Sequence, residues 1–206
     1  MANRLVALLR GVNVGAAKRV EMAKLRALVS ELGYTEVSTL LNSGNVVFTA
    51  ARAGSPRAGG RDAASRIEKA ISENLGFSCR VIVITSSELD TAVAENPLLQ
   101  NMDNPSRMMV AVTADPADLS RLAPLLKEDW GGNALAVGSR AAYLWCPDGI
   151  LASRLAAEVQ RILGDGVTIR NWATMRKLRA MAGTQGPVAA ARRRPQGAPG
   201  TARAPA

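Results

Sequence analysis

Two short apolar runs about a hundred residues apart, residues 4–9 and Met108–Thr113, each open the same succession of patterns. After the first run, Met22, Leu25, Val29 and Leu32 recur at helical steps, and Gly33 stands where a helix stops. Residues 37–41 and 46–49 read as strands on either side of Asn42-Ser-Gly-Asn45, four turn-forming residues that close a hairpin. Asp62 is placed to cap a helix whose buried face is Ile67, Ile71 and Leu75, and residues 80–85 form a buried strand. After the second run, Asp115-Pro116 starts a helix carrying Leu119, Leu122 and Leu126 on one face. Ala134–Val137 and Ala141–Trp145 flank Gly138-Ser-Arg140 as a second hairpin. Leu151, Leu155, Val159 and Ile162 give another amphipathic helix, ended by Gly164 before a short strand at 167–169. Asn171 then caps a final helix with Met175 and Leu178.

Each succession is β-α-β-β-α-β, the ferredoxin-like unit. The expected fold is therefore α+β, a tandem duplication of ferredoxin-like units with antiparallel sheets and helices packed on one face. The expected boundaries are a first half at 1–86, a connecting helix and loop at 87–106, a second half with its C-terminal helix at 107–182, and a disordered basic tail at 183–206. The tail is rich in Gly, Pro, Ala and Arg without periodicity. Residues 51–60 have a similar composition and read as an exposed loop.

The core of such a chain must be aliphatic, because aromatic residues make up only 3% of it. No apolar stretch approaches the ~18 residues of a membrane span, and the N-terminal run is too short for a signal peptide. Cys79 and Cys146 are isolated thiols without metal-ligand spacing, which fits a reduced, cytoplasmic setting. The sequence contains no histidine, which excludes His-based triads, His zinc sites and imidazole acid–base chemistry. The net charge of +9 includes four arginines of the tail, leaving about +5 for the rest. That balance admits an anionic partner without demanding one.

Three polar segments interrupt the apolar pattern at element ends. Residues 10–15, Arg10-Gly-Val-Asn-Val-Gly15, together with Lys18, offer glycine-loosened amides beside cations, a setting suited to phosphate or carboxylate. The spacing is neither GxGxxG nor a P-loop, and the segment reads also as an ordinary strand-to-helix connection. Ser43 and Asn45 sit among hairpin residues, where positive φ and local hydrogen bonds already account for them. Arg170, Asn171 and Trp172 could hold a planar anion by charge and stacking, but Asn171 also reads as a helix cap and Trp172 as core. No acidic metal cluster emerges, and the sequence names no cofactor.

Taken together, the segments resemble the bacterial family known as domain of unknown function 1697. The resemblance lies in Leu8-Leu-Arg-Gly-Val-Asn-Val-Gly15, Met22 and Leu25 with Leu32-Gly33, Asn42-Ser-Gly-Asn-Val-Val-Phe48, Asn96-Pro97 and Arg170-Asn-Trp-Ala-Thr174. It spans about residues 4–178 and implies the duplicated architecture, but no activity. Family members commonly carry Gly at 16, Gln at 42, Asn at 173 and Lys at 154, where this chain has Ala16, Asn42, Ala173 and Arg154.

The leading functional expectation is a cleft between the 10–15 loop, the 42–45 turn and the 170–174 segment that binds a nucleotide, a phosphorylated metabolite or nucleic acid. Its expected lining is Arg10, Asn13, Gly15, Lys18, Ser43, Asn45, Arg170, Asn171 and Trp172. Two alternatives stay open. One is a metal-independent enzyme using Arg and Asn electrostatics with Ser43 or Lys18 reacting. The other is an assembly protein that pairs through its sheet edges.

Overall fold

The computed structural model describes residues 3–14, 18–50, 60–101 and 103–183. Gly15, nearly all of the 51–60 loop, and the tail beyond Gly183 lie outside these residues.

The first half runs β1 (Asn3–Leu9), α1 (Met22–Glu31), β2 (Thr35–Leu40), β3 (Asn45–Ala50), α2 (Gly60–Leu75) and β4 (Val81–Thr85), followed by α3 (Ser86–Ala94). The second half runs β5 (Met108–Thr113), a 3₁₀ segment at Pro116–Lys127, β6 (Ala134–Val137), β7 (Ala141–Trp145), α4 (Arg154–Leu163) and β8 (Val167–Asn171), followed by α5 (Trp172–Met181). The two four-stranded sheets have the matching orders β2-β3-β1-β4 and β6-β7-β5-β8, and every neighbouring pair is antiparallel. This is the expected α+β architecture of two ferredoxin-like sheets.

Strand alternation sorts the side chains of each sheet into two cores. Leu5, Ala7, Leu9, Val46 and Phe48 face α1 and α2, whereas Val6, Leu8, Val47, Ile82 and Ile84 join a central core. Met109, Ala111, Ala142 and Leu144 likewise face α4 and the 3₁₀ segment, while Met108, Val110, Val112 and Tyr143 join the central core. Each sheet therefore carries its own helices on one face, and its other face is covered as well. Trp172, Met175 and Leu178 of α5 fill the central core with Leu89, Ala92 and Val93 of α3. Strands buried on both faces read as unbroken apolar runs rather than alternating ones, which explains the two runs that first reveal the repeat.

The repeat extends one helix beyond the β-α-β-β-α-β unit. Thr85 caps α3 and Asn171 caps α5, both with φ −74° and ψ 160°. Thr85 forms a full capping box with Glu88, and Asn171 Oδ1 accepts from the amide of Thr174 at 2.9 Å.

Three local expectations are corrected. The segment after Asp115-Pro116 is 3₁₀, and its buried residues are Leu119, Leu122 and Leu125, while Leu126 is half exposed. A three-residue period replaces the helical one because Pro124 inside the segment lacks an amide donor and crowds the preceding turn. Helix α4 starts at Arg154 behind its cap Ser153, which leaves Leu151 outside the helix and fully exposed. Asp62 lies in the first turn of α2 rather than at its cap.

Candidate functional site

The ends of the two halves meet where Arg10, just after β1, reaches the turn at 164–166 and Arg170 of β8 reaches the end of β1 and the 42–45 turn. Two distinct arrangements form there from the residues singled out in the sequence.

The first is a staple centred on Arg170. Its Nε donates to Asn45 Oδ1 at 2.6 Å, and its Nη2 donates to the carbonyls of Leu9 at 2.6 Å and Ser43 at 3.2 Å. Its Nη1 donates to Thr168 Oγ1 at 2.7 Å and to the Ile169 carbonyl at 3.0 Å. A guanidinium has five N–H donors, so these five bonds leave none over. Burial lowers the Arg170 pKa to about 10, so the group remains charged at neutral pH. Asn45 is fully buried, and its Nδ2 donates to the Leu40 carbonyl at 3.0 Å and to Ser43 Oγ at 2.9 Å. Asn171 is spent on the α5 cap, and Trp172 is 3% exposed in the central core, with no face open for stacking.

The second arrangement is the loop itself. Asn13, at φ 56°, clasps it shut: Nδ2 donates to the carbonyls of Val20 at 3.0 Å and Asn42 at 2.6 Å, and Oδ1 accepts from the Val20 amide at 2.8 Å. Gly44 completes the junction. At φ +69° it is left-handed, and a Cβ there would lie 2.5 Å from Val12 Cγ2 and 2.7 Å from Leu9 Cβ.

A pocket of about 470 Å³ opens beside this loop, lined by Arg10, Gly11, Lys18, Glu68, Cys79, Arg80 and neighbouring residues. The Arg10 amide donates to the Arg80 carbonyl at 2.8 Å, extending the β1–β4 ladder by one step and bringing the two arginines to the same rim. Arg10 Nη1 donates to the Gly164 carbonyl and lies 3.0 Å from Asp165 Oδ1, so the second half closes one side of the pocket. Arg80 Nη1 is 3.4 Å from Glu68 Oε2, while Glu68 Oε1 accepts from the Val81 amide at 2.8 Å. The Lys18 ammonium and the amides of Gly11 and Val12 have no hydrogen-bond partner among the described residues. Burial, with Glu68 adding to it and Lys18 opposing it, pushes the Cys79 thiol up to about 11. Cys79 is therefore a neutral thiol at physiological pH and a poor nucleophile.

A second, wider pocket of about 960 Å³ lies across the loop against the first turn of α1, with Asn13, Arg19, Lys24 and Asn42 on its wall. Neither pocket is lined by Ser43, Asn45, Arg170, Asn171 or Trp172. Those segments meet through hydrogen bonds and packing rather than across an open cleft. The structure thus brings Arg10 and Lys18 together in one place and Ser43, Asn45 and Arg170 in another, joined through the backbone of residues 9 and 10. Among the described residues no three acidic or thiol side chains gather as metal ligands would. No helix there is long and apolar enough to cross a membrane.

Arg80, Glu68 and Asp165 are pocket residues that sequence reading missed. Arg80 was within reach, since it immediately precedes a strand and so falls opposite the end of β1. Asp165 was not, because only the packing of the two halves brings the 164–166 turn to Arg10.

A family model described as "Protein of unknown function (DUF1697)" matches residues 2–143. Among solved structures, the conserved bacterial protein SP0830 from Streptococcus pneumoniae is similar to this chain with a TM-score of 0.70 and 19% sequence identity. The match covers 88% of this chain and 99% of that one, and at this identity it bears on the fold alone. None of the curated proteins matches the chain.

Proposed function

The chain belongs to the DUF1697 family, and because that description carries no activity we propose its function from geometry: it binds a small phosphorylated metabolite in the Arg10–Lys18–Arg80 pocket. The carrying observation is the convergence of three cationic side chains on one pocket, where, among the described residues, Lys18 is unpaired and the Gly11 amide has no partner. Its volume falls within the range usual for small-molecule sites, roughly 300–1,000 Å³. Cations beside an unpaired amide suit a compact oxyanion such as phosphate.

Among the ligand classes expected from sequence, the pocket favours the phosphorylated metabolite. No aromatic ring lines it among the described residues, and Phe48 and Trp172 are buried, so a nucleobase or single-stranded nucleic acid would find no stacking face there. The enzymatic alternative gains no support: Ser43 Oγ is engaged by Asn45, and no base faces it among the described residues.

The test is a thermal-shift and calorimetric titration with inorganic phosphate, sugar phosphates, nucleotides and carboxylates. A sugar phosphate should raise the melting temperature of the wild type and bind at least tenfold more weakly to Lys18→Ala and Arg80→Ala. A shift of equal size in both variants, or one confined to nucleotides, would sink this reading.

A further inference from the structure

A separate pocket of about 440 Å³ lies at the far end of β5, between the turn at 104–107 and the turn at 146–149. Three apolar side chains line it beside the polar Asn104, Ser106 and Asp148: Met109 is buried, Ile150 half-buried, and Leu151 fully exposed. Among the described residues a single cation, Arg107, lines it.

The position of Arg107 is built rather than incidental. Its amide donates to the Asn104 carbonyl at 2.9 Å, and its carbonyl accepts from the Cys146 amide at 3.0 Å. The turn before it is braced by Asn104 Oδ1, which accepts from the Ser106 amide at 2.9 Å. The turn opposite is closed by the Gly149 amide on the Cys146 carbonyl at 2.9 Å. Gly149 has φ +95°, and a Cβ there would overlap Arg107 Nη1. The guanidinium therefore lies against a bare glycine. It takes no hydrogen bond or ion pair among the described residues, although a half-buried guanidinium ordinarily finds a carboxylate.

We propose that this pocket is a second ligand site, independent of the Lys18 pocket, for a carboxylate carried on an apolar group. The planar fork of Arg107 matches a carboxylate in bidentate fashion, and Met109, Ile150 and Leu151 take the apolar body. Asp148 on the rim and the lack of a second cation among the described lining residues disfavour a dianion such as phosphate. The carboxylate can come from a free short-chain acid or from the C-terminus of an apolar peptide.

The test is an NMR titration of the full chain, following the Ile150 and Leu151 methyls and the Arg107 Nε–H. The probes are hexanoate, hexylammonium, inorganic phosphate, and an apolar tripeptide with either a free or an amidated C-terminus. Saturable shifts with hexanoate or the free-acid tripeptide, absent with hexylammonium and the amide, are expected, and which acid binds assigns the source. Arg107→Gln should weaken that binding about tenfold or more, the scale of one lost charge-assisted bidentate contact. Arg107→Lys, which keeps charge but not the fork, should fall between. Unchanged methyl resonances in α1 and α2 would show that the variants remain folded. Equal binding of hexanoate and hexylammonium, tighter binding of phosphate, or hexanoate binding unaltered in Arg107→Gln would each overturn the proposal.

Discussion

Arg170 Nε and Asn45 Oδ1 meet at 2.6 Å, tying the last strand of the second half to the hairpin of the first. Arg170 pairs with Val110 in the β5–β8 register, as Ile84 pairs with Val6 in the β1–β4 register. A guanidinium thus occupies the position that a core isoleucine occupies in the other half. It is tolerated there because all five of its donors are satisfied, although every acceptor is neutral.

Arg170→Met is expected to destabilise the protein by about 2–4 kcal/mol, because the buried Asn45 Oδ1 and the Leu9 carbonyl lose their donor. Arg170→Lys keeps the charge but cannot reach five acceptors, and should recover less than half of that loss. Urea denaturation of the two variants measures both values. A wild-type midpoint for Arg170→Met would show that the staple holds nothing.

Gly44→Ala should cost about 2–3 kcal/mol, combining left-handed backbone strain with overlap on Val12 and Leu9. Gly11→Ala shares the positive φ, but no atom lies within 4 Å of its added Cβ, so it should cost only about 1 kcal/mol. Comparing the two melts separates strain from packing, and equal losses would mean that the close approach at Gly44 is unimportant.

The opposite junction carries the converse arrangement, with the arginine on the hairpin. Arg140, whose side chain is 5% exposed, reaches Glu88 Oε1 at 3.0 Å and the Thr113 carbonyl at 3.0 Å. Glu88→Gln should destabilise by about 3 kcal/mol, since it removes the only carboxylate partner of a buried cation among the described residues and weakens the α3 capping box. Ser139→Ala, at the exposed contact with Glu95 in the same hairpin, should cost less than about 1 kcal/mol. Chemical denaturation would rank the two, and the reverse order would place the junction's strength at Glu95.

The duplicated fold was legible because its determinants are local: apolar runs, Asn42-Ser-Gly-Asn45, Gly33, and the cap at Asn171. Pro124 shows where local pattern ran out. Leu119, Leu122 and Leu126 fit a helical face on paper, yet the proline imposes a 3₁₀ period that buries Leu125 instead. The candidate site was legible in part for a related reason. Arg10 and Lys18 neighbour one another in sequence, whereas Asp165 comes from a distant turn. Arg170 and Trp172 carry ligand-like chemistry as residue types, but nothing in sequence says whether a guanidinium or an indole is consumed by the fold. That depends on acceptors more than a hundred positions away.

If the Lys18 pocket takes a phosphate, Asp165 competes with it for Arg10. Asp165→Asn removes a largely exposed carboxylate, 89% accessible, whose own contribution to stability is small. The variant should bind the phosphate ligand several-fold more tightly with an unchanged melting temperature in its absence. Weaker binding in Asp165→Asn would mean that the carboxylate positions Arg10 rather than opposing the ligand, and calorimetry distinguishes the two outcomes.

Stability should also fall on the alkaline side. The Cys79 thiol is raised from 9.0 to about 11 by burial and, secondarily, by Glu68. Below about pH 9 the thiol is protonated in both the folded and unfolded states, so it contributes no pH dependence. Between pH 9 and 11 the unfolded thiol ionises while the folded one keeps its proton, so the unfolded state gains and stability declines. Two pH units correspond to about 2–3 kcal/mol for this group. Cys146 and Tyr143 are shifted in the same direction, chiefly by burial, and add to the decline. Unfolding free energies of the wild type and Cys79→Ala, measured at pH 8 and pH 11, isolate the contribution: the variant begins less stable but should lose less over the interval. An identical loss in both proteins would show that the Cys79 thiol titrates alike in the folded and unfolded chains.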